Sequence, residues 1–230
     1  MEDQRSILED LKRRYPVLEA CIPALEELVS TVTASYRQGG TFFVAGNGGS
    51  GADADHICGE LLKGFRSRRE LAADEKAAFS ALFGAEGERI ANELQGGLPA
   101  VSLLSHPALN TAWLNDAEPL DHFAQQLWAQ GRKGDVFLAI STGGGSENLR
   151  RALMTAKVKG IRTFLLTGNR HGICEKYADV SICVPEKETY KIQELHQPFF
   201  LNNQSLWILI LVFLCQLKFF QFCESFSCFP

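Results

Sequence analysis

The sequence predicts an α/β chain in which a parallel sheet is covered by helices on both faces. Two observations carry that expectation. Short apolar runs rich in β-branched and aromatic residues alternate with longer stretches whose apolar residues recur at helical spacing. Two of the runs end in glycine- and hydroxyl-rich turns with a helix start behind each, Gly46-Asn47-Gly48-Gly49-Ser50 and Ser141-Thr142-Gly143-Gly144-Gly145-Ser146. In a parallel sheet both turns fall at the carboxyl edge, where ligands of such folds bind. At 230 residues the chain fits a single domain.

The elements follow in order. Ile7, Leu8, Leu11 and Tyr15 form a helical stripe halted by Pro16. A second helix is expected from Leu18 to Gln38, with Leu25, Leu28, Val29, Val32 and Tyr36 on one face and Gly39-Gly40 ending it. Such a helix pair, apolar and without a β partner, points to a subunit contact. Thr41 to Ala45 is the first strand, and a helix from Ala52 to Gly64 follows the first turn. Between Arg66 and Gly97 the chain is polar and charged, with one apolar stripe at Phe79, Leu82 and Phe83, and reads as a partly helical surface excursion. Ala100 to Leu104 is the second strand. Asn110 to Asn115 is helical and ends at Asn115-Asp116; Asp121 to Gly131 is another helix. Asp135 to Ile140 is the third strand, followed by a helix from Glu147 to Lys159. Arg162 to Thr167 and Val180 to Val184 are the fourth and fifth strands. A last helix starts within Tyr190 to His196, where Gln193 and His196 by themselves read as a solvated face.

Composition narrows the function classes. A net charge of −4 argues against wholesale nucleic-acid binding. Met1 to Arg14 is charged and lacks the apolar core of a signal peptide. The cysteines number seven, are scattered and form no CxxC pair, which favours reduced thiols in a cytoplasm over a disulfide framework. Leu206 to Cys215 is unbroken apolar but far shorter than the roughly 20 residues of a membrane span, so a buried helix is expected there. Cys223 to Pro230 has neither helical nor strand period and reads as foreign to the rest.

The two turns set the chemistry. Backbone N–H groups and hydroxyls at a helix start can coordinate a phosphate without lysine or arginine. One such turn often only reverses the chain; two at one sheet edge point to a phosphorylated ligand. Neither a Walker-type GK[ST] nor a G-x-G-x-x-G fingerprint is expected at these turns, so a nucleotide cofactor is not indicated. His56 and Glu60 stand four residues apart, on one helix face just past the first turn. An imidazole and a carboxylate so placed suit a metal or a proton transfer, although a histidine on a helix face is also common in cores and on surfaces.

GNGGS followed by ADADHICGELLKGF, then LQGGLPAVSLLSHPALNTAWLND, GDVFLAISTGGGSEN and ETYKIQELHQP, together resemble the phosphoheptose isomerase group of sugar isomerase (SIS) domain proteins. The similarity runs from about Ile7 to Pro198. It implies a flavodoxin-like three-layer αβα sandwich around a five-stranded parallel sheet, with N-terminal helices at an oligomer contact. The chain is then one SIS domain over 1–230: helices in 1–40, the matching core in 41–198, and a divergent apolar segment in 199–230. The resemblance further implies a cytoplasmic homotetramer, bound neither to membrane nor to nucleic acid. Its activity would be conversion of sedoheptulose 7-phosphate to D-glycero-D-manno-heptose 7-phosphate through an enediol.

By position, Asn47, Gly48, Gly49, Ser50, Asn115 and Asp116 would contact the sugar phosphate, with Ser141, Thr142, Gly143 and Ser146 as the phosphate loop. Glu60 would be the catalytic acid/base. His56, Glu60 and Gln193 would be three of four zinc ligands, with Gln193 also near substrate. Two departures stand out. Gly143 occupies a position where the family commonly has serine, and Leu201 stands where the family has a histidine that is both fourth zinc ligand and second acid/base. A non-catalytic alternative follows from the second departure: an SIS protein that binds a phosphosugar or a partner such as the replication initiator.

Overall fold

The computed structural model describes residues 4–64 and 68–200. Leu201, the apolar run 206–215 and the tail 223–230 therefore lie outside the described residues. A five-stranded parallel sheet has the order β2-β1-β3-β4-β5. Its strands are β1 (Phe42–Gly46), β2 (Ala100–Ser102), β3 (Val136–Ile140), β4 (Arg162–Gly168) and β5 (Val180–Val184). The helices are α1 (Gln4–Arg14), α2 (Ile22–Arg37), α3 (Gly49–Leu62), α4 (Ala73–Glu93), α5 (Pro107–Asp116), α6 (His122–Gln130), α7 (Glu147–Val158) and α8 (Thr189–His196).

Every residue of β1 and β3 is buried, because parallel strands between two helical layers have no wet face. Alternation divides the core in two. Phe42 and Val44 of β1, with Val136, Leu138 and Ile140 of β3, pack against α1, α2, α3 and α8. Phe43 and Ala45, with Phe137 and Ala139, pack against α6 and α7. The expected three layers result. β1 and β3 end level, Gly46 opposite Ile140, so both turns leave the same edge. That edge is the point where strand order reverses, since β2 lies to one side of β1 and β3 to the other.

Several boundaries differ from expectation, each for a local reason. α3 starts at Gly49 and not Ala52, because Gly48, at φ 55°, turns the chain at once and its carbonyl accepts from the N–H of Gly51. β2 stops at Ser102, short of Leu104: its one partner is β1, the pairing ends at Val44 opposite Ser102, and Ser105 N–H turns back to Ser102 O. A 3₁₀ turn, Pro16–Cys21, precedes α2, which begins at Ile22 with Pro23 in its first turn where no N–H is required. The α2 stripe Leu25, Leu28, Val29 and Val32 is buried against this chain's own sheet, so a subunit contact through these helices would use their outer faces.

The excursion is longer in helix than expected. α4 kinks at Gly84 (φ 57°, ψ −138°), folding its second half back until Gly87 abuts the Phe79 carbonyl; Leu82 and Phe83 stay exposed. Its base is closed by the Glu70–Gln95 bridge and by Gly96 N–H donating to Arg69 O. No described helix is long and apolar enough to cross a membrane.

Candidate functional site

The turns after β1 and β3 are clasped by a reciprocal amide pair. Asn47 Nδ2 donates to Asn148 Oδ1 at 3.0 Å, and Asn148 Nδ2 donates to Asn47 Oδ1 at 2.9 Å. Asn148 is buried in the first turn of α7, and its Oδ1 also accepts from Leu149 N–H. Nothing in the sequence singled out Asn148, although an asparagine one residue inside a helix behind a hydroxyl-rich turn is a polar group that needs partners. The starts of α3 and α7, from opposite layers, are thereby tied together.

Tight backbone geometry shapes the first turn. A Cβ on Gly46 would stand 2.3 Å from Ser50 O, and one on Gly51 2.6 Å from Leu104 Cδ2. Gly46, Gly48 and Gly51 have the G-x-G-x-x-G spacing of dinucleotide turns, which corrects the expectation that this fingerprint is absent. Here those glycines let α3 fold directly over the end of β1. Ser50 is buried; Asn47, Gly48 and Gly49 are exposed.

In the second turn Ser141 Oγ and Ser146 Oγ are 3.0 Å apart, and Gly144 N–H donates to Ser141 O. The segment after β4 wraps this turn. Gly168 N–H donates to Thr142 O, Cys174 N–H to Gly144 O, and a Cβ on Gly172 would meet Gly144 C at 2.2 Å. Arg170 lies alongside, its Nη1 3.5 Å from where a Gly143 Cβ would stand. The segment Ser141–Ser146 contains no lysine or arginine; folding brings Arg170 to it from 27 residues down the chain.

His56 and Glu60 meet as their spacing predicts, Nε2 to Oε1 at 3.6 Å. The Glu60 side chain is 13 % exposed, and its Oε2 is buried without a hydrogen-bond partner. Arg69, not anticipated from sequence, donates Nη2 to Leu61 O at 2.7 Å and keeps a buried, unpartnered Nε. Burial lowers the Arg69 pKa, opposed by Tyr36 and Glu60. Burial also pushes the Asp53 carboxyl up to about 6, with His56 working against it.

α8 runs beside this face of α3. Gln193 reaches Gly49, where an added Cβ would stand 2.3 Å from its Nε2, and the Phe200 ring lies 6.4 Å from the His56 ring. The expectation of a solvated face at Gln193 and His196 is corrected: Gln193 is half-buried and His196 fully buried, because Ile192, His196 and Phe199 turn into the core. Asn115 and Asp116 sit at the exposed end of α5, Asn115 Nδ2 donating to Asp116 Oδ1 at 2.7 Å. α5 buries none of its residues and packs on α6 and the turn before it, so within this chain the pair joins neither glycine turn.

Zinc normally takes at least three protein ligands. His56 and Glu60 supply two. Gln193 faces Gly49, two helical turns or roughly 10 Å along α3 from His56. Among the described residues no group of three His, Cys, Asp or Glu side chains comes together. The described residues do not complete a zinc site.

Comparison with known proteins gives a consistent result. The SIS domain family model matches residues 114–214. A phosphoheptose isomerase from Rhodospirillum rubrum is 34% identical over 198 residues, covering 85% of this chain and 91% of the relative. One from Roseiflexus is 33% identical over 187 residues, 81% of each. The solved phosphoheptose isomerase of Francisella tularensis superposes with a TM-score of 0.68 at 27% identity, covering 90% of this chain and 95% of that one. The Neisseria gonorrhoeae phosphoheptose isomerase gives 0.63 at 25% identity, with 88% and 89% covered.

Proposed function

The chain belongs to the phosphoheptose isomerase family of SIS-domain proteins, and from that premise we propose that it isomerises sedoheptulose 7-phosphate to D-glycero-D-manno-heptose 7-phosphate. The observation that carries this reading is Glu60. Its carboxylate is largely buried, has one oxygen without a partner, and points along the helix that begins at the clasped turns. A base short of hydrogen bonds is free to take a substrate proton.

The phosphoryl group is received by the N–H groups and hydroxyls of Asn47 to Ser50, Ser141, Thr142 and Ser146, with the helix starts behind them favouring negative charge. Glu60 takes the proton from C1 of the ketose and returns it to C2 of the resulting enediol, which leaves the aldehyde at C1. A second proton must pass from O1 to O2. Leu201 cannot carry it, and His56, 3.6 Å from Glu60, is an ionisable side chain on the same helix face that can.

The test is turnover of sedoheptulose 7-phosphate by the full chain and by Glu60→Gln, with and without added zinc. Turnover in the parent and a loss of 100-fold or more in the variant, on the order of general acid–base effects, supports the proposal. A folded parent that binds the phosphosugar and never isomerises it removes the enzyme reading. That result would leave the second reading, a non-catalytic protein binding a phosphosugar or a partner such as the replication initiator. The two-donor cluster at His56 and Glu60 is what favours it. We also propose a cytoplasmic homotetramer, supported by the exposed Leu82, Phe83, Trp128 and Val158 side chains; light scattering of the purified chain tests the assembly.

A further inference from the structure

Arg170 is the one cation found against the Ser141–Ser146 turn among the contacts described there. Two hydrogen bonds fix its position. Nε donates to Lys187 O at 2.5 Å, and the Arg170 N–H donates to Gly168 O at 2.9 Å. With Nε spent on Lys187, Nη1 lies 3.5 Å and Cδ 3.8 Å from where a Gly143 Cβ would stand. Below the same turn, Thr167 Oγ1 is fully buried without a partner, 3.3 Å from a Cβ position on Gly144. The neighbouring carboxylate at the start of α7, Glu147, is already engaged by Arg150 and Arg151. An anion at this turn would therefore meet a free guanidinium edge and a satisfied carboxylate.

We infer that Arg170 is a phosphate ligand of this site, placed where Gly143 leaves room for its guanidinium. This rests on the phosphosugar-binding reading above and adds the charged group that the turn itself lacks. A guanidinium presents paired donors that match two phosphate oxygens, so it contributes both charge and orientation. Gly143 has no positive φ, so a serine there is free of backbone strain and its side chain would compete for the same anion.

The experiment measures binding of inorganic phosphate and of sedoheptulose 7-phosphate by calorimetry, with melting temperature in parallel. Arg170→Ala should weaken both ligands about 10- to 100-fold, the range for losing a charge-assisted hydrogen bond. Arg170→Lys should fall between, keeping charge without the fork. Adding Gly143→Ser to Arg170→Ala should recover several-fold. Should the alanine variant melt early, Arg170→Gln decides: it can still donate to Lys187 O, and should show weakened binding with a shallower salt dependence. Affinity within twofold of the parent in Arg170→Ala, or in Arg170→Gln where alanine melts early, overturns the inference while the phosphosugar reading stands. A parent chain that binds neither probe removes that reading, and this inference with it.

Discussion

Replacing Asn47 by alanine tests whether the two turns act as one site. The change strands Nδ2 of Asn148, a residue 7% exposed, whose partner is Asn47 Oδ1. A buried donor left unmade costs about 1–3 kcal/mol. Asn148→Ala breaks both amide bonds and the contact to Leu149 N–H, but the exposed Asn47 amide returns to water, so about 1–2 kcal/mol is expected. Because the two side chains pair only with each other across the gap, the double variant should cost less than the sum, with a coupling of about 1–2 kcal/mol. At about 2–4 °C per kcal/mol for a domain of this size, Asn47→Ala should melt several degrees early. On the proposed mechanism turnover should fall about 10- to 100-fold, since that mechanism has the phosphate and Glu60 positioned from different sides of the clasp. Urea denaturation gives the cycle, and steady-state kinetics with sedoheptulose 7-phosphate gives the catalytic arm. A coupling below about 0.3 kcal/mol, with turnover unchanged in both single variants, would refute the reasoning.

Three further outcomes are expected. Gly49→Ala should leave the melting temperature close to the parent's, because Gly49 is the first residue of α3, where the helix-interior advantage of alanine is not in force, and the side chain it meets is the flexible end of Gln193. It should nevertheless lower turnover, as the new Cβ would lie 2.3 Å from Gln193 Nε2 and must displace it; unchanged kinetics would show Gln193 to be irrelevant. His196 is held down to about 4 by burial, weakly opposed by the Thr167 backbone. Its folded pKa is below its unfolded value near 6.5, so the unfolded chain binds the proton first. Stability is whole above pH 6.5 and is lost as pH falls toward 4, by about 3 kcal/mol in order of magnitude. His196→Leu should flatten that stretch of the stability curve, and an identical slope would contradict the burial. Burial also pushes the Cys21 and Cys174 thiols up to about 11 and Cys58 up to about 12. Iodoacetamide at pH 8 should leave these three intact by mass spectrometry until the chain unfolds; rapid labelling of Cys58 would mean that α3 is not packed on the sheet.

Some of this architecture is local and therefore legible in sequence. The strands β1, β3 and β4 are apolar runs bounded by charge and glycine, and their positions follow to within a residue or two. The His56–Glu60 pair needs only helical geometry, which fixes four-residue neighbours before any packing occurs. Boundaries drifted where a contact from elsewhere decided them, as at β2, whose pairing with β1 ends at Val44 opposite Ser102.

The sequence by itself determined an α/β chain, two glycine turns at one sheet edge, and an imidazole–carboxylate pair behind the first of them. Tertiary structure decided what those turns are made of. Asn148 reaches Asn47 from 101 residues away, Gln193 comes to Gly49 on the last described helix, and Arg170 arrives beside Gly143 from the segment after β4. It also leaves Asn115 and Asp116 exposed on α5 and, among the described residues, brings His56 and Glu60 together as a pair. The reason is physical. Periodicity and turn chemistry act over a few residues, whereas the partners of a buried polar group are set by strand order, which brings distant chain segments to one edge.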